Sequence, residues 1–146
     1  MQIADVMTKP VTTVPRGTTL KQAAAKLKQL DTGFLPVSDE YEDRLVGVTT
    51  DRDIVVRCVA EGMDPETTPV ERAMTDKVLY CFADDDLESA AMSMAEQQVY
   101  RLVVLDDAKS KRLMGIVSMG DIRRQGDGNI ASQATDRIVA GARPTP

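Results

Sequence analysis

Residues 47–54 read GVTTDRDI and residues 115–122 read GIVSMGDI. Each stretch ends an apolar run on a hydroxyl residue, passes two variable positions and closes on an aspartate and an isoleucine: Thr50, Asp53 and Ile54 in one, Ser118, Asp121 and Ile122 in the other. A strand that turns directly into a helix through a hydroxyl cap is the local reading of both. Two such turns in one chain raise the question of a repeat. Sliding the sequence on itself lays DVMT (Asp5 to Thr8) over RAMT (Arg72 to Thr75), and the 67-position offset of Met7 and Met74 also carries Leu20 onto Leu87 and Val37 onto Val104. The offset then grows by one, because Gly47 falls on Gly115 and Asp53 on Asp121. The extra residue lies where DEYEDR (Asp39 to Arg44) faces DDAKSKR (Asp106 to Arg112), both polar, as suits a loop insertion.

Within each copy the hydrophobic period changes in a fixed order. Val11 to Val14 reads as a short strand, and Leu20, Ala23, Ala24, Leu27 and Leu30 then recur at helical spacing behind Thr18 and Thr19, which can cap. Phe34 to Val37 and Leu45 to Thr49 are apolar runs on either side of the charged loop, and a second helix runs from Asp51 through Val59 to stop near Gly62. Copy two repeats the order with a strand Val78 to Phe82, a helix Leu87 to Gln97, strands Leu102 to Leu105 and Leu113 to Val117, and a shorter helix from Met119. The acids Asp84, Asp85, Asp86 and Glu88 suit a helix N-terminus and are read as capping, not as a metal site. The expected division is repeat one over 1–62, a turn-rich linker over 63–69, repeat two over 70–126 and a tail over 127–146. In that tail Ile130 to Ala140 reads as a short helix and GARPTP as frayed, without recognisable chemistry.

Composition removes several function classes. The 146 residues contain no histidine, which excludes histidine acid–base chemistry and histidine metal ligation. A net charge of −5 argues against a polyanion partner, so nucleic acid is not expected. Cys58 and Cys81 lie in apolar segments and read as two buried thiols rather than a disulfide. The opening MQIADVMTKP lacks the basic and apolar regions of a signal peptide, and no window reaches membrane-spanning length, so a cytoplasmic protein without membrane association is expected.

A duplicated βαββα unit, each copy opening on a VMT-like turn and closing on G-h-h-T/S-x-x-D-I, resembles the CBS domain pair, or Bateman module, over about Ile3 to Arg124. GVTTDRDIVVR followed by AEGMDP further resembles the small stand-alone bacterial CBS-pair proteins. The resemblance implies an α/β (α+β) fold of tandem repeats related by a pseudo-twofold axis, with two clefts between them. It also implies an adenosyl ligand such as AMP, ADP, ATP or S-adenosylmethionine in those clefts. Most members sense or regulate and perform no chemistry, so no catalytic residue, metal or required cofactor is expected.

The repeated turn admits two readings. Thr50 or Ser118 with an acid three positions on is also a capping box, in which the acid reaches back to the cap amide. Aspartate is shorter than the usual Glu or Gln there and is expected to reach that amide less well. As a clamp, an ionised Asp offers acceptors to both hydroxyls of a ribose beside the free N–H groups of a first helical turn. By family position Asp53 and Asp121 are assigned to ribose, with Thr50 and Ser118 beside ribose or phosphate. The resemblance points Tyr100 and Arg101 into the cleft served by Asp53, which makes Arg101 the phosphate candidate there, while Arg52 is the candidate to reach across and bring charge to the Asp121 cleft. A solvated strand-edge charge is the alternative for Arg101, and a surface charge for Arg52. Gly33 and Phe34 are the counterparts of Tyr100 and Arg101 and bring no charge, so the Asp121 cleft is the doubtful one and asymmetric occupancy is expected.

The leading expectation is therefore a non-catalytic sensor of an adenosyl ligand, associating as a homodimer and acting on a separate, unidentified regulated protein. The apolar helix DIVVRCVAEG (Asp53 to Gly62) is a candidate contact for that dimer, or simply core. The alternative is a ligand-free dimeric interaction scaffold in which the motifs only cap helices. An enzyme finds no nucleophile and base pair.

Overall fold

The computed structural model describes residues 1–9, 11–41 and 44–141. It divides into two compact units, 12–78 and a second formed by 1–11 with 79–146. The mixed α/β architecture expected from the repeat is present in both. The first unit holds β1 (Val14–Pro15), α1 (Leu20–Leu30), β2 (Phe34–Ser38), β3 (Leu45–Thr50) and α2 (Asp51–Ile54), which continues as a π-helical turn over Val55–Val59. The second holds β4 (Tyr80–Phe82), α3 (Leu87–Gln97), β5 (Arg101–Leu105), β6 (Leu113–Ser118), α4 (Met119–Gln125) and α5 (Gly128–Gly141). Each sheet has three strands, ordered β1-β2-β3 and β4-β5-β6, the first pair parallel and the second an antiparallel hairpin.

Duplication extends to the backbone. Helices α1 and α3 both end on a left-handed residue that is not glycine, Asp31 (φ 52°) and Gln98 (φ 58°). In both, the next amide reaches back five residues, Thr32 N to the Leu27 carbonyl at 3.1 Å and Val99 N to the Met94 carbonyl at 2.9 Å, which closes a Schellman cap. The hairpins carry the same irregularity, at Val37/Ser38 and at Val104/Leu105, and the extra residue of copy two falls in the loop that follows Asp106. Thr19 caps α1 with Gln22 in a reciprocal box, and Asp86 caps α3 by accepting from Ser89 N at 2.7 Å.

The first strand is shorter than Val11 to Val14. Val14 opposes Val37 in the parallel pair, so Thr13 would oppose Pro36, which has no N–H to donate. At the equivalent rung of copy two Val103 N donates to the Leu79 carbonyl at 3.0 Å, and β4 gains Tyr80. The helical stripe of α1 also needs correction. Leu20, Ala23 and Leu27 are buried, whereas Ala24 and Leu30 are exposed. Helix α3 buries Leu87, Ala90, Ala91, Met94 and Ala95, because α5 packs on its second face.

The C-terminal helix forms and is not peripheral. Asp127 accepts from Asn129 N at 2.8 Å at its start, and Ala131, Ala134 and Ile138 enter the core of the second unit with Met94, Leu102 and Ile122. Residues 142–146 of the expected frayed tail lie outside the described residues. Cys58 and Cys81 are free and buried; burial pushes the Cys81 thiol up to about 12, helped by the charge of Asp85, and raises Cys58 against the opposing pull of Arg72 and Arg57. No helix among the described residues is long and apolar enough to cross a membrane.

The compact units do not follow the order of the repeats, since the opening segment of each copy packs in the unit of the other. Thr8 pairs antiparallel with Ile116 on β6, and Thr75 with Val48 on β3. Each pairing passes over a glycine. A Cβ on Gly47 would lie 2.6 Å from the Thr75 carbonyl oxygen, and one on Gly115 would lie 2.7 Å from that of Thr8. Backbone cannot yield as a side chain can, so Gly115→Ala is expected to cost about 1–3 kcal/mol, read as a lower urea midpoint at unchanged slope. An unchanged midpoint would show that the opening segment shifts without loss.

Candidate ligand site at the strand-to-helix junctions

Both repeated motifs sit where a hairpin strand turns into a short helix. In the first unit Thr50 Oγ1 accepts from Asp53 N at 3.0 Å, while Asp53 Oδ2 accepts from Thr50 N at 3.0 Å. In the second, Ser118 Oγ accepts from Asp121 N at 3.0 Å and Asp121 Oδ2 accepts from Ser118 N at 2.9 Å. Aspartate thus reaches the cap amide in both units at full hydrogen-bonding distance, against the expectation that it reaches less well than Glu or Gln. The extended backbone of the cap, φ −127° at Thr50 and −114° at Ser118, brings the amide toward the carboxylate.

One carboxylate oxygen remains at each junction, and here the units differ. Asp53 Oδ1 has Arg57 Nε at 3.8 Å, beyond hydrogen-bonding distance, and Arg57 Nη1 instead donates to the Met74 carbonyl at 3.1 Å. Asp121 Oδ1 accepts from Arg124 Nη2 at 3.0 Å, and its Oδ2 takes a further, long bond of 3.4 Å from Thr8 Oγ1. The Asp53 side chain is 25% exposed and that of Asp121 only 6%. Among the described residues Asp53 Oδ1 therefore accepts no hydrogen bond, whereas both oxygens of Asp121 do.

The remaining expected residues are also placed. Arg101 and Tyr100 are exposed at the start of β5, where Arg101 is the register partner of Ser118 and the Tyr100 carbonyl accepts from Met119 N at 2.9 Å. Gly33 and Phe34 hold the matching places in the first unit, where Phe34 pairs with Thr50 and the Gly33 carbonyl accepts from Asp51 N at 3.1 Å. Arg52 is exposed. A groove of about 520 Å³ in the first unit, lined by Leu27, Lys28, Gly33, Asp51, Ile54 and Val55 among others, adjoins this junction through Asp51 but includes neither Thr50 nor Asp53. The sequence reading passed over Arg57, Arg124 and Thr8. The D-x-x-x-R and D-x-x-R spacings were the available signal for the two arginines, since residues three and four apart share a helix face.

A CBS domain model matches residues 3–59 and 70–127. The chain belongs to the CBS domain family. Hypoxic response protein 1 of Mycobacterium tuberculosis (strain ATCC 25618 / H37Rv), one relative of this CBS pair, is 38% identical over 120 residues, which cover 82% of this chain and 81% of that protein. The crystal structure of Hypoxic Response Protein I with two coordinated zinc ions matches with a TM-score of 0.72 at 36% identity, over 85% of this chain and 98% of the other. The CBS domain pair of protein MJ0100, solved in complex with 5-methylthioadenosine and S-adenosyl-L-methionine, matches with a TM-score of 0.71 at 28% identity, over 88% and 98%. This CBS pair has no histidine, and among its described residues no three or more Cys, Asp or Glu side chains are grouped to hold a metal ion.

Proposed function

We propose that this CBS pair is a non-catalytic regulatory module of the cytoplasm that binds an adenosyl ligand, AMP, ADP, ATP or S-adenosylmethionine, and acts on a separate protein. The observation that carries the reading is the Oδ1 of Asp53, which accepts no hydrogen bond among the described residues and has only Arg57 at 3.8 Å, held at the junction by the bond its other oxygen accepts from Thr50 N. A carboxylate fixed in this way keeps one acceptor turned to a ribose hydroxyl without first breaking its own cap, so clamp and cap are compatible. Thr50 stands beside the sugar, and Arg52 and Arg101 with Tyr100 are the proposed phosphate partners. The adenosyl ligands of the MJ0100 pair support the ligand class.

Association into a homodimer is part of the proposal. Val55, Val56 and Val59 are 55%, 48% and 53% exposed on one helical run, which supports the reading of this helix as a contact surface rather than core. A ligand then regulates by binding one conformation of the pair better than another.

Titration calorimetry and thermal melts with AMP, ATP and S-adenosylmethionine test the reading. A ligand at a hundred times its Kd stabilises by about 2.7 kcal/mol, a rise of roughly 5–10 °C in Tm for a chain of this size. The closed capping boxes of both motifs favour a second reading, the ligand-free scaffold. Absence of heat and of any Tm shift with all three compounds would select it.

A further inference from the structure

The two junctions share sequence, backbone and cap, yet only at Asp121 does a cation of the same helical run hydrogen-bond the free carboxylate oxygen; at Asp53 the cation stays 3.8 Å away. We propose that Arg124 is a built-in latch: its guanidinium occupies the acceptor of Asp121 that a ligand hydroxyl would use, which leaves this CBS pair one working ligand site per chain, at Asp53. The inference rests on the adenosyl-binding reading above and adds to it which junction is closed and by what.

Three features fit a latch and not an incidental surface pair. Arg124 Nη2 donates to Asp121 Oδ1 at 3.0 Å while Thr8 Oγ1 and Ser118 N donate to Oδ2, so both oxygens of a 6% exposed carboxylate are engaged inside the unit. The residue just before the acid is Gly120, and a Cβ there would lie 3.0 Å from Arg124 Nη1, a crowding of the guanidinium that the glycine avoids. The first unit keeps the cap bond and has Thr75 at the place of Thr8, but it differs at the glycine and at the cation. Gly120 is replaced by Arg52, and the residue three beyond the acid is Val56, 48% exposed. Its arginine comes one position later, as Arg57, which lies 3.8 Å from Asp53 Oδ1 without a hydrogen bond to it and donates instead to the Met74 carbonyl. The Arg124 side chain is itself 68% exposed, so its removal leaves the core untouched.

Calorimetric stoichiometry with AMP, ATP and S-adenosylmethionine on the full chain tests the latch. The unchanged protein is expected to bind one equivalent, weakened roughly ten- to a hundredfold in Asp53→Asn and unaffected in Asp121→Asn. Arg124→Ala is expected to bind two, and Arg124→Gln, which keeps much of the side-chain stem, should do the same. Adding Asp121→Asn to Arg124→Ala should return the stoichiometry to one. Two equivalents in the unchanged protein, or one in both Arg124 variants, overturns the latch and leaves the adenosyl reading standing. No binding by the unchanged protein or by either Arg124 variant overturns that reading and the latch together. Circular dichroism of each variant separates loss of a site from loss of fold.

Discussion

Ile138→Asp is expected to destabilise the second unit by at least the roughly 2–5 kcal/mol of removing a buried isoleucine, because the new carboxylate must also be desolvated. Ile138 is 5% exposed and shares one core with Met94, Leu102 and Ile122, the residues that join α3, β5 and α4. At roughly 2–4 °C per kcal/mol, Tm should fall by about 5 °C or more. Val139→Asp is the paired control: Val139 is 60% exposed, and a charge there should move stability by no more than about 0.5 kcal/mol. The contrast separates a packed helix from a peripheral tail, since a dangling segment would make the two neighbours equivalent. It also tests the tie between Gln98 and α5, where Nε2 donates to the Ala95 carbonyl at 2.8 Å and to the Arg137 carbonyl at 3.4 Å. If that tie and the apolar face act together, loss of Ile138 should loosen the end of α3 as well, seen as faster amide exchange at Gln98 and Val99.

The burial of α5 was legible in principle. Ala131, Ala134 and Ile138 stand at the spacing of one helical face, but a stripe with two alanines is weak, and it has meaning only beside the alanine-rich α3 it packs against. Local features could be read from sequence: the two copies, the loop insertion after Asp106, and the hydroxyl caps at Thr19, Thr50 and Ser118. They depend on neighbours a few residues apart, where side-chain period and cap chemistry act. The exchange of opening segments was not read, because Thr8 and Ile116 are brought together by long-range pairing that no local pattern encodes. Gly47 and Gly115 were its trace, a glycine inside each strand where another backbone crosses closely. Pro36 likewise shortens β1 through a missing donor on a different strand. At the junctions, the sequence placed both acids at the turn from strand to helix, and it could not show what else each carboxylate touches. The expectation of asymmetric occupancy rested on missing phosphate partners, whereas the structure shows an acceptor of Asp121 already bonded to Arg124.

Asp53→Asn is expected to weaken adenosyl binding roughly ten- to a hundredfold, the equivalent of one charge-assisted hydrogen bond of about 1.5–3 kcal/mol. Asparagine is the informative replacement because its carbonyl oxygen can still accept from Thr50 N, so the cap survives while the second acceptor becomes an N–H donor or a neutral oxygen. Stability should therefore change little. Asp53→Ala would remove cap and clamp together and confuse the two. The scaffold reading predicts the reverse for this pair of variants: Asn silent in every assay and Ala lowering Tm alone. Binding lost in Asn at constant Tm identifies a carboxylate that serves a ligand. An undiminished affinity in Asn would place the sugar elsewhere, because a ribose diol held by this acid cannot keep both of its hydroxyl bonds when one acceptor has become a donor.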